Sequence, residues 1–296
     1  MTEQTYKRRF SAYLDAAQAA VNRQAERWLP EESLVCCAAR YSLEGGGKRI
    51  RAILVLAVCD MLGGNAEAAA DLAGAVEMLH CYSLIHDDLP CMDNDDFRRG
   101  RPSCHKAFGE ATALLAGDVL LTEAFEAAAN CVGSDAQRAR AAAALALGAG
   151  SRGMVYGQEL DLAYEAHSPS EAQLRLVHRN KTGALINAAV QMGAACADAD
   201  PAACAALEQY AFGLGLVFQI VDDVLDVTAS SEQLGKPAGS DAGNGKVTFA
   251  TLYGAEGAMQ MAQNHHRESC AALQAAFGEK SSFLAALAED LLHRTH

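Results

Sequence analysis

The sequence predicts an all-α protein. Long Ala/Leu-rich segments carry apolar residues three and four apart, Gly, Pro, Asn and Ser clusters separate them, and alternating strand patterns are scarce. Taken in order, helices are expected in "YLDAAQAAVNRQAERWL", "RAILVLAVCDMLGG", "AADLAGAVEMLHCYSLIHDD", "ATALLAGDVLLTEAFEAAANC" and "AQRARAAAALALGAGSRGMVYGQELDL". Further on they are expected in "SEAQLRLVHRNKTGALINAAVQMGAAC", "AACAALEQYAFGLGLVFQIVDDVLDV" and "SFLAALAEDLLHRTH". Several are apolar nearly all round, which calls for burial in a large bundle or against a partner chain. No Pro/Ser-rich linker divides the chain, so residues 1–296 are expected to form a single domain. The longest break, "TASSEQLGKPAGSDAGNGKVTF", has the glycine content of a surface loop near a site.

Composition narrows the function classes. An apolar fraction of 51% supports a sizeable core, and a net charge of −13 disfavours nonspecific attraction to nucleic acid or an anionic membrane. The ten cysteines are scattered through a large chain that begins "MTEQTYKRRF" without an apolar signal segment, so they are read as reduced thiols of a cytoplasmic protein. No CxxC or Cys/His set has zinc spacing. No stretch of about twenty apolar residues lacks a charged or polar break, so no transmembrane segment is expected.

Two acidic clusters stand out. The first, Asp87, Asp88, Asp93, Asp95 and Asp96, is followed at once by Arg98, Arg99 and Arg101; the second is Asp222, Asp223 and Asp226. A lone Asp-rich stretch is more often a solvated helix end, but both clusters follow strongly apolar runs, "LHCYSLI" and "LGLVFQIV", where uncompensated charge is disfavoured. Asp222 and Asp226 are four apart and share a helix face, about 5.4 Å along the axis. Pro90 is expected to bend the backbone between Asp87 and Asp93. Hard divalent ions such as magnesium use a few carboxylates together with substrate phosphates, so two clusters lining one cavity would suit ions clamping a diphosphate. An EF-hand is excluded, because a loop starting at Asp93 has Arg98 where glycine is needed and Cys104 where the closing glutamate belongs.

Upstream, "GGGKRIR" joins a glycine run to Lys48, Arg49 and Arg51. It is not a P-loop, since Arg49 follows Gly47 and Lys48 and the earlier glycine position holds Ser42. Alone it could be a loop with solvated basic residues. With Arg98 and Arg99 it becomes a candidate for binding a second diphosphate without metal, through guanidinium forks and a lysine charge. Lys181 and Thr182 beside Gly183 suggest a mid-helix kink, and Gln219 lies one turn from Asp223. His80 falls seven residues before Asp87, on roughly the same helical side.

"DDLPCMDNDDFRRG" with "FQIVDDVLD" resembles the trans-isoprenyl diphosphate synthases, and "GGGKRIR", "LHCYSLIHDD", "GQELDL", "NKTGAL", "GKPAGSD" and "GKVTF" occur in family order. The resemblance implies a helical bundle with a central active-site cavity, a homodimer, isopentenyl diphosphate and allylic diphosphates as substrates, and several Mg2+ ions as cofactor. It implies metal binding by Asp87, Asp93 and Asp222, with Asp88, Asp223 and Asp226 in supporting hydrogen bonds around the metal. Arg98, Lys181 and Lys236 would bind the allylic diphosphate, with Lys246 near it. Gly47, Lys48, Arg51, His80 and Arg99 would bind isopentenyl diphosphate. Thr182 and Gln219 would face the allylic carbons and join Lys181 as the catalytic set. Family members often end in a short basic tail that closes over the second diphosphate, for which this chain offers Arg294 within "LLHRTH".

Tyr82 and Ser83, five and four positions before Asp87, would set the depth of the elongation cavity. A bulky tyrosine there resembles the farnesyl synthases and favours a C15 product, with C20 as the alternative. The alternative is that Tyr82 is an ordinary core aromatic and another helix or a partner chain sets the cavity floor. A terpene cyclase would share the acidic motifs but would not need Lys48, Arg51 and Arg99. A silent partner subunit would not need both motifs intact.

Overall fold

The structure is a computed structural model of the chain, describing residues 1–165, 169–228 and 247–294. Among the described residues the regular elements are helices apart from one hairpin of two-residue strands. They run α1 (Glu3–Trp28), α2 (Leu34–Leu43), α3 (Ile50–Leu62), α4 (Ala66–Asp87), β1 (Phe97–Arg98), β2 (Arg101–Pro102), α5 (Cys104–Phe108), α6 (Glu110–Ala129) and α7 (Asp135–Ala149). There follow α8 (Met154–Glu165), α9 (Glu171–His178), a π-helical turn (Arg179–Gly183), α10 (Ala184–Ala195), α11 (Pro201–Thr228), α12 (Phe249–Phe277), a 3-10 turn (Gly278–Ser281) and α13 (Ser282–Leu292).

Local chemistry starts several of these helices where they start. Ser33 accepts from the Cys36 amide ahead of α2, and Asn65 accepts from the Glu67 and Ala68 amides ahead of α4. Ser170 with Gln173, and Thr248 with Thr251, form capping boxes for α9 and α12.

The chain forms two compact units. One comprises Lys7–Leu145 and Met192–Ala199; the other comprises Met1–Tyr6, Ala146–Gln191 and Asp200–His296. In the first, α4 packs against α2, α3 and α6. Leu72, Val76, Leu79, Ile53, Leu54 and Leu120 are fully buried there, which explains why α4 is apolar around most of its circumference. Its one buried acid, Glu77, is 3.3 Å from the equally buried Arg49 and accepts the Ala52 amide, as a charge in a core must.

In the second unit α11 and α12 lie side by side. Val217, Ile220, Val221 and Val224 of α11 share a core with Phe249, Ala258 and Ala262 of α12 and Leu292 of α13. Among the described residues α11 alone has the length and hydropathy of a membrane span. It packs on α12, and its last two turns carry Asp222, Asp223 and Asp226.

Two sequence expectations are corrected here. The segment expected as one helix from "AQRAR" to "GQELDL" is two, broken between Ala149 and Met154, where the Gly153 amide bonds back to the Gly150 carbonyl. α2, the five-residue α5 and the 29-residue α12 are not among the expected helices, and Gly254 within α12 has φ +70.

Candidate active site

In the first unit the acidic motif begins where α4 ends. The loop after Asp87 closes on itself: the Asp93 amide donates to the Asp87 carbonyl at 2.9 Å, the Asn94 amide to the Leu89 carbonyl at 3.2 Å, and Asn94 takes φ +54. The bend expected at Pro90 therefore returns Asp93 to Asp87. Asp87 is half-buried and Asp93 exposed.

Asp88 has a different part. It is 2% exposed and clasped by Arg98, whose Nε lies 3.0 Å from Oδ1 and 3.3 Å from Oδ2, while Arg98 Nη2 also reaches Asp95 Oδ2 at 3.1 Å. Burial raises the Asp88 carboxyl, and the Arg98 hydrogen bond and charge oppose the rise. The charges left unassigned by the sequence hold the loop together. Asp96 pairs with Lys106 at 2.7 Å, and Arg101 stacks on Tyr41 with its guanidinium carbon 4.0 Å from the ring centre.

The basic residues converge in the same unit. Arg49 is buried with φ +51 and donates to the Leu43 carbonyl at 2.7 Å, so it organises the start of α3. Its neighbour Lys48 is exposed, and Arg51 is half-buried with a buried Nε that has no hydrogen-bond partner among the described residues. Burial, reinforced by Arg99 and opposed by Glu77, brings Arg51 down to about 10. Gly47 has φ +120, and a Cβ there would fall 2.6 Å from the Arg99 guanidinium carbon. Arg99 also bonds the Gly46 carbonyl. Burial, joined by the charges of Arg51, Arg99, Arg49 and Arg98, holds His80 well below 6.5. A neutral histidine ringed by guanidinium groups, one with an orphaned donor, has the chemistry of an anion-binding site.

One turn into α4 from Asp87, Tyr82 is 7% exposed and meets the His86 ring edge-on, with centroids 5.5 Å apart. The Ser83 hydroxyl donates to the His80 carbonyl at 2.8 Å.

In the second unit the kink expected around Lys181 is the π-turn, where one extra residue enters the helix. Lys181 Nζ lies 2.7 Å from Asp161 Oδ2, and the Thr182 hydroxyl donates to Gln219 Oε1. Lys181, Gln219, Asp161, Asp223, His178 and Thr248 all line a cavity of about 130 Å³. The close approach is made possible by glycine. A Cβ on Gly157 would sit 2.0 Å from the Lys181 amide nitrogen, and one on Gly215 would sit 2.8 Å from the Gly183 Cα. Asp161 is a site residue that sequence reasoning missed, although its motif, "GQELDL", had been recognised.

The aspartates of α11 are not equivalent. Asp223 is buried and accepts the Phe249 amide at 2.8 Å, anchoring α12; Asp226 is 3% exposed. The Asp222 side chain is 44% exposed, and its Oδ1 lies 2.6 Å from Arg294 Nη2. Lys236 and Lys246 lie outside the described residues.

A family model described as polyprenyl synthetase matches residues 32–287. The chain belongs to that family. Like other polyprenyl synthetases it is all-α and a trans-prenyltransferase. It is 42% identical over 290 residues to the chloroplastic geranylgeranyl pyrophosphate synthase of Capsicum annuum, covering 96% of this chain and 79% of that protein. Among solved structures it resembles a geranyltransferase from Legionella pneumophila, with TM-score 0.87 and 37% identity over 99% of this chain and 98% of the other. It also resembles an FPP/GFPP synthase from Zymomonas mobilis, with TM-score 0.85 and 35% identity over 95% and 98%.

Proposed function

We propose that this polyprenyl synthetase condenses isopentenyl diphosphate with dimethylallyl and geranyl diphosphate to give farnesyl diphosphate. The observation that carries the reading is the basic cluster of Arg51, Arg99 and His80, with its orphaned Arg51 Nε, in a unit that also holds an acidic motif. A reaction of two diphosphates needs one anchor of each kind, and a terpene cyclase needs only the acidic one. Residues 1–296 act in this reading as one catalytic domain.

Asp87, Asp93 and Asp222 would hold magnesium. Each offers carboxylate oxygens, the donors that a hard cation takes. Among the described residues no group of three or more Asp, Glu, His or Cys could hold a metal ion, and magnesium on these carboxylates would take its remaining ligands from water and substrate phosphate. When bound, magnesium would neutralise charge building on the departing diphosphate.

The chain's own residues do the rest. Arg98, oriented by Asp88, and Lys181, oriented by Asp161, would grip the allylic diphosphate, with Lys236 and Lys246 as further contacts. Gly47 lets the Arg99 guanidinium approach the backbone, and Lys48, Arg51, His80 and Arg99 would fix isopentenyl diphosphate with its alkene facing the allylic carbon. The bonded Thr182–Gln219 pair would turn oxygen dipoles toward the allylic cation. The condensation step ends with proton loss to the released diphosphate, so no side-chain base is required.

Tyr82 supports a C15 product, because its buried ring fills space next to the acidic motif that a longer chain would need. C20 is the second reading, favoured by the geranylgeranyl name of the Capsicum relative. Product analysis of the wild type and Tyr82→Ala, with magnesium, isopentenyl diphosphate and dimethylallyl diphosphate, decides between them. The expected outcome is C15 from the wild type and longer chains from the variant; C20 from the wild type would overturn the C15 assignment. A homodimer is also part of the reading. It is supported by the exposed Leu114 and Leu115 of α6 and would be dismissed by a sedimentation mass of one chain.

A further inference from the structure

Arg294 lies two residues beyond α13 and folds back onto α11 of its own unit. Its Nη2 is 2.6 Å from Asp222 Oδ1 and donates to the Phe218 carbonyl at 2.7 Å, and the guanidinium carbon stands 3.8 Å from the Phe218 ring centre. The side chain is 9% exposed, yet Nε is buried with no hydrogen-bond partner among the described residues. A permanent structural arginine would satisfy that donor. Asp222, by contrast, remains half open to solvent, the condition under which an ion pair exchanges readily.

We propose that Arg294 is an internal counter-ion for Asp222, which a divalent cation must displace, so that metal loading releases Arg294 from α11. The proposal rests on the reading of Asp222 as a metal carboxylate. A magnesium ion at about 2.1 Å from the same carboxylate would compete with the guanidinium for its negative charge, and the two positive charges would repel at short range. The role differs from the expected one of closing over the second diphosphate, because the contact made is to the acidic motif. It assigns the chain a built-in occupant for the cation position, which keeps Asp222 compensated before substrate arrives.

The test titrates the full chain with magnesium chloride and inorganic pyrophosphate by calorimetry, for wild type, Arg294→Ala, Arg294→Lys and Asp222→Asn. Hydrogen exchange of residues 286–294 is followed in the wild type, and a melting curve confirms that each variant is folded. Arg294→Ala should bind the metal at least about threefold more tightly, a gain of ~0.65 kcal/mol. Arg294→Lys should stay near the wild type, Asp222→Asn should bind more weakly, and exchange near Arg294 should quicken on loading. If Asp222→Asn weakens binding but Arg294→Ala leaves it unchanged or weaker, or exchange does not quicken, the counter-ion role is wrong while the metal role of Asp222 stands. If Asp222→Asn binds as the wild type does, both the counter-ion role and the metal reading of Asp222 fall.

Discussion

Gly47 shows how one missing side chain shapes a binding site. At φ +120 any L-residue is strained, by about 1–2 kcal/mol, and a Cβ would collide with the Arg99 guanidinium. Gly47→Ala should therefore raise KM for isopentenyl diphosphate about tenfold and leave KM for the allylic substrate unchanged. Steady-state kinetics with each substrate varied in turn measures this, and a rise confined to the allylic KM would separate Gly47 from the isopentenyl anchor. The three basic residues after it show the limit of what a motif reveals. Lys48, Arg49 and Arg51 look alike in the sequence, but Arg49 is spent on the buried Glu77, twenty-eight residues away. No local pattern records a partner at that separation.

At the scale of elements, α8, the π-turn and α11 lie backbone against backbone at Gly157, Gly183 and Gly215. Gly157→Ala forces a methyl into the main chain of Lys181, and overpacking of this kind costs about 1–3 kcal/mol. Urea unfolding should show a lower midpoint with an unchanged slope; an unaltered midpoint would mean that α8 can shift freely. The kink at Lys181 was legible because lysine, threonine and glycine interrupt an apolar run. Its π-helical form was not, since the extra residue is accommodated by glycines distant in sequence. α12 escaped notice because Gly254, Gly257 and the polar run "QNHHRES" blur its apolar period, and Phe249, Ala258 and Ala262 reveal a face only once α11 is beside them. Asp161 escaped because one acid among several on α8 has no meaning until Lys181 stands opposite it.

For the whole molecule, His80 couples stability to pH. Burial and the surrounding arginines hold it well below its ordinary 6.5 in the folded chain, so as pH falls below about 6.5 the unfolded chain takes up a proton that the folded chain refuses. Stability should therefore be flat above that pH and decline below it. Denaturant titrations from pH 7.5 to 5.5 should show this loss in the wild type and a shallower one in His80→Gln; identical slopes would place the acid sensitivity elsewhere. The order in which residues leave the ribosome adds a consequence of the contacts on α11. Asp223 waits for the Phe249 amide and Asp222 for Arg294, so a nascent chain that has completed α11 displays an acidic end lacking both partners for tens of residues of further synthesis. The charge at that helix end is therefore balanced by these contacts only once residue 294 has been synthesised, well after α11 ends at Thr228.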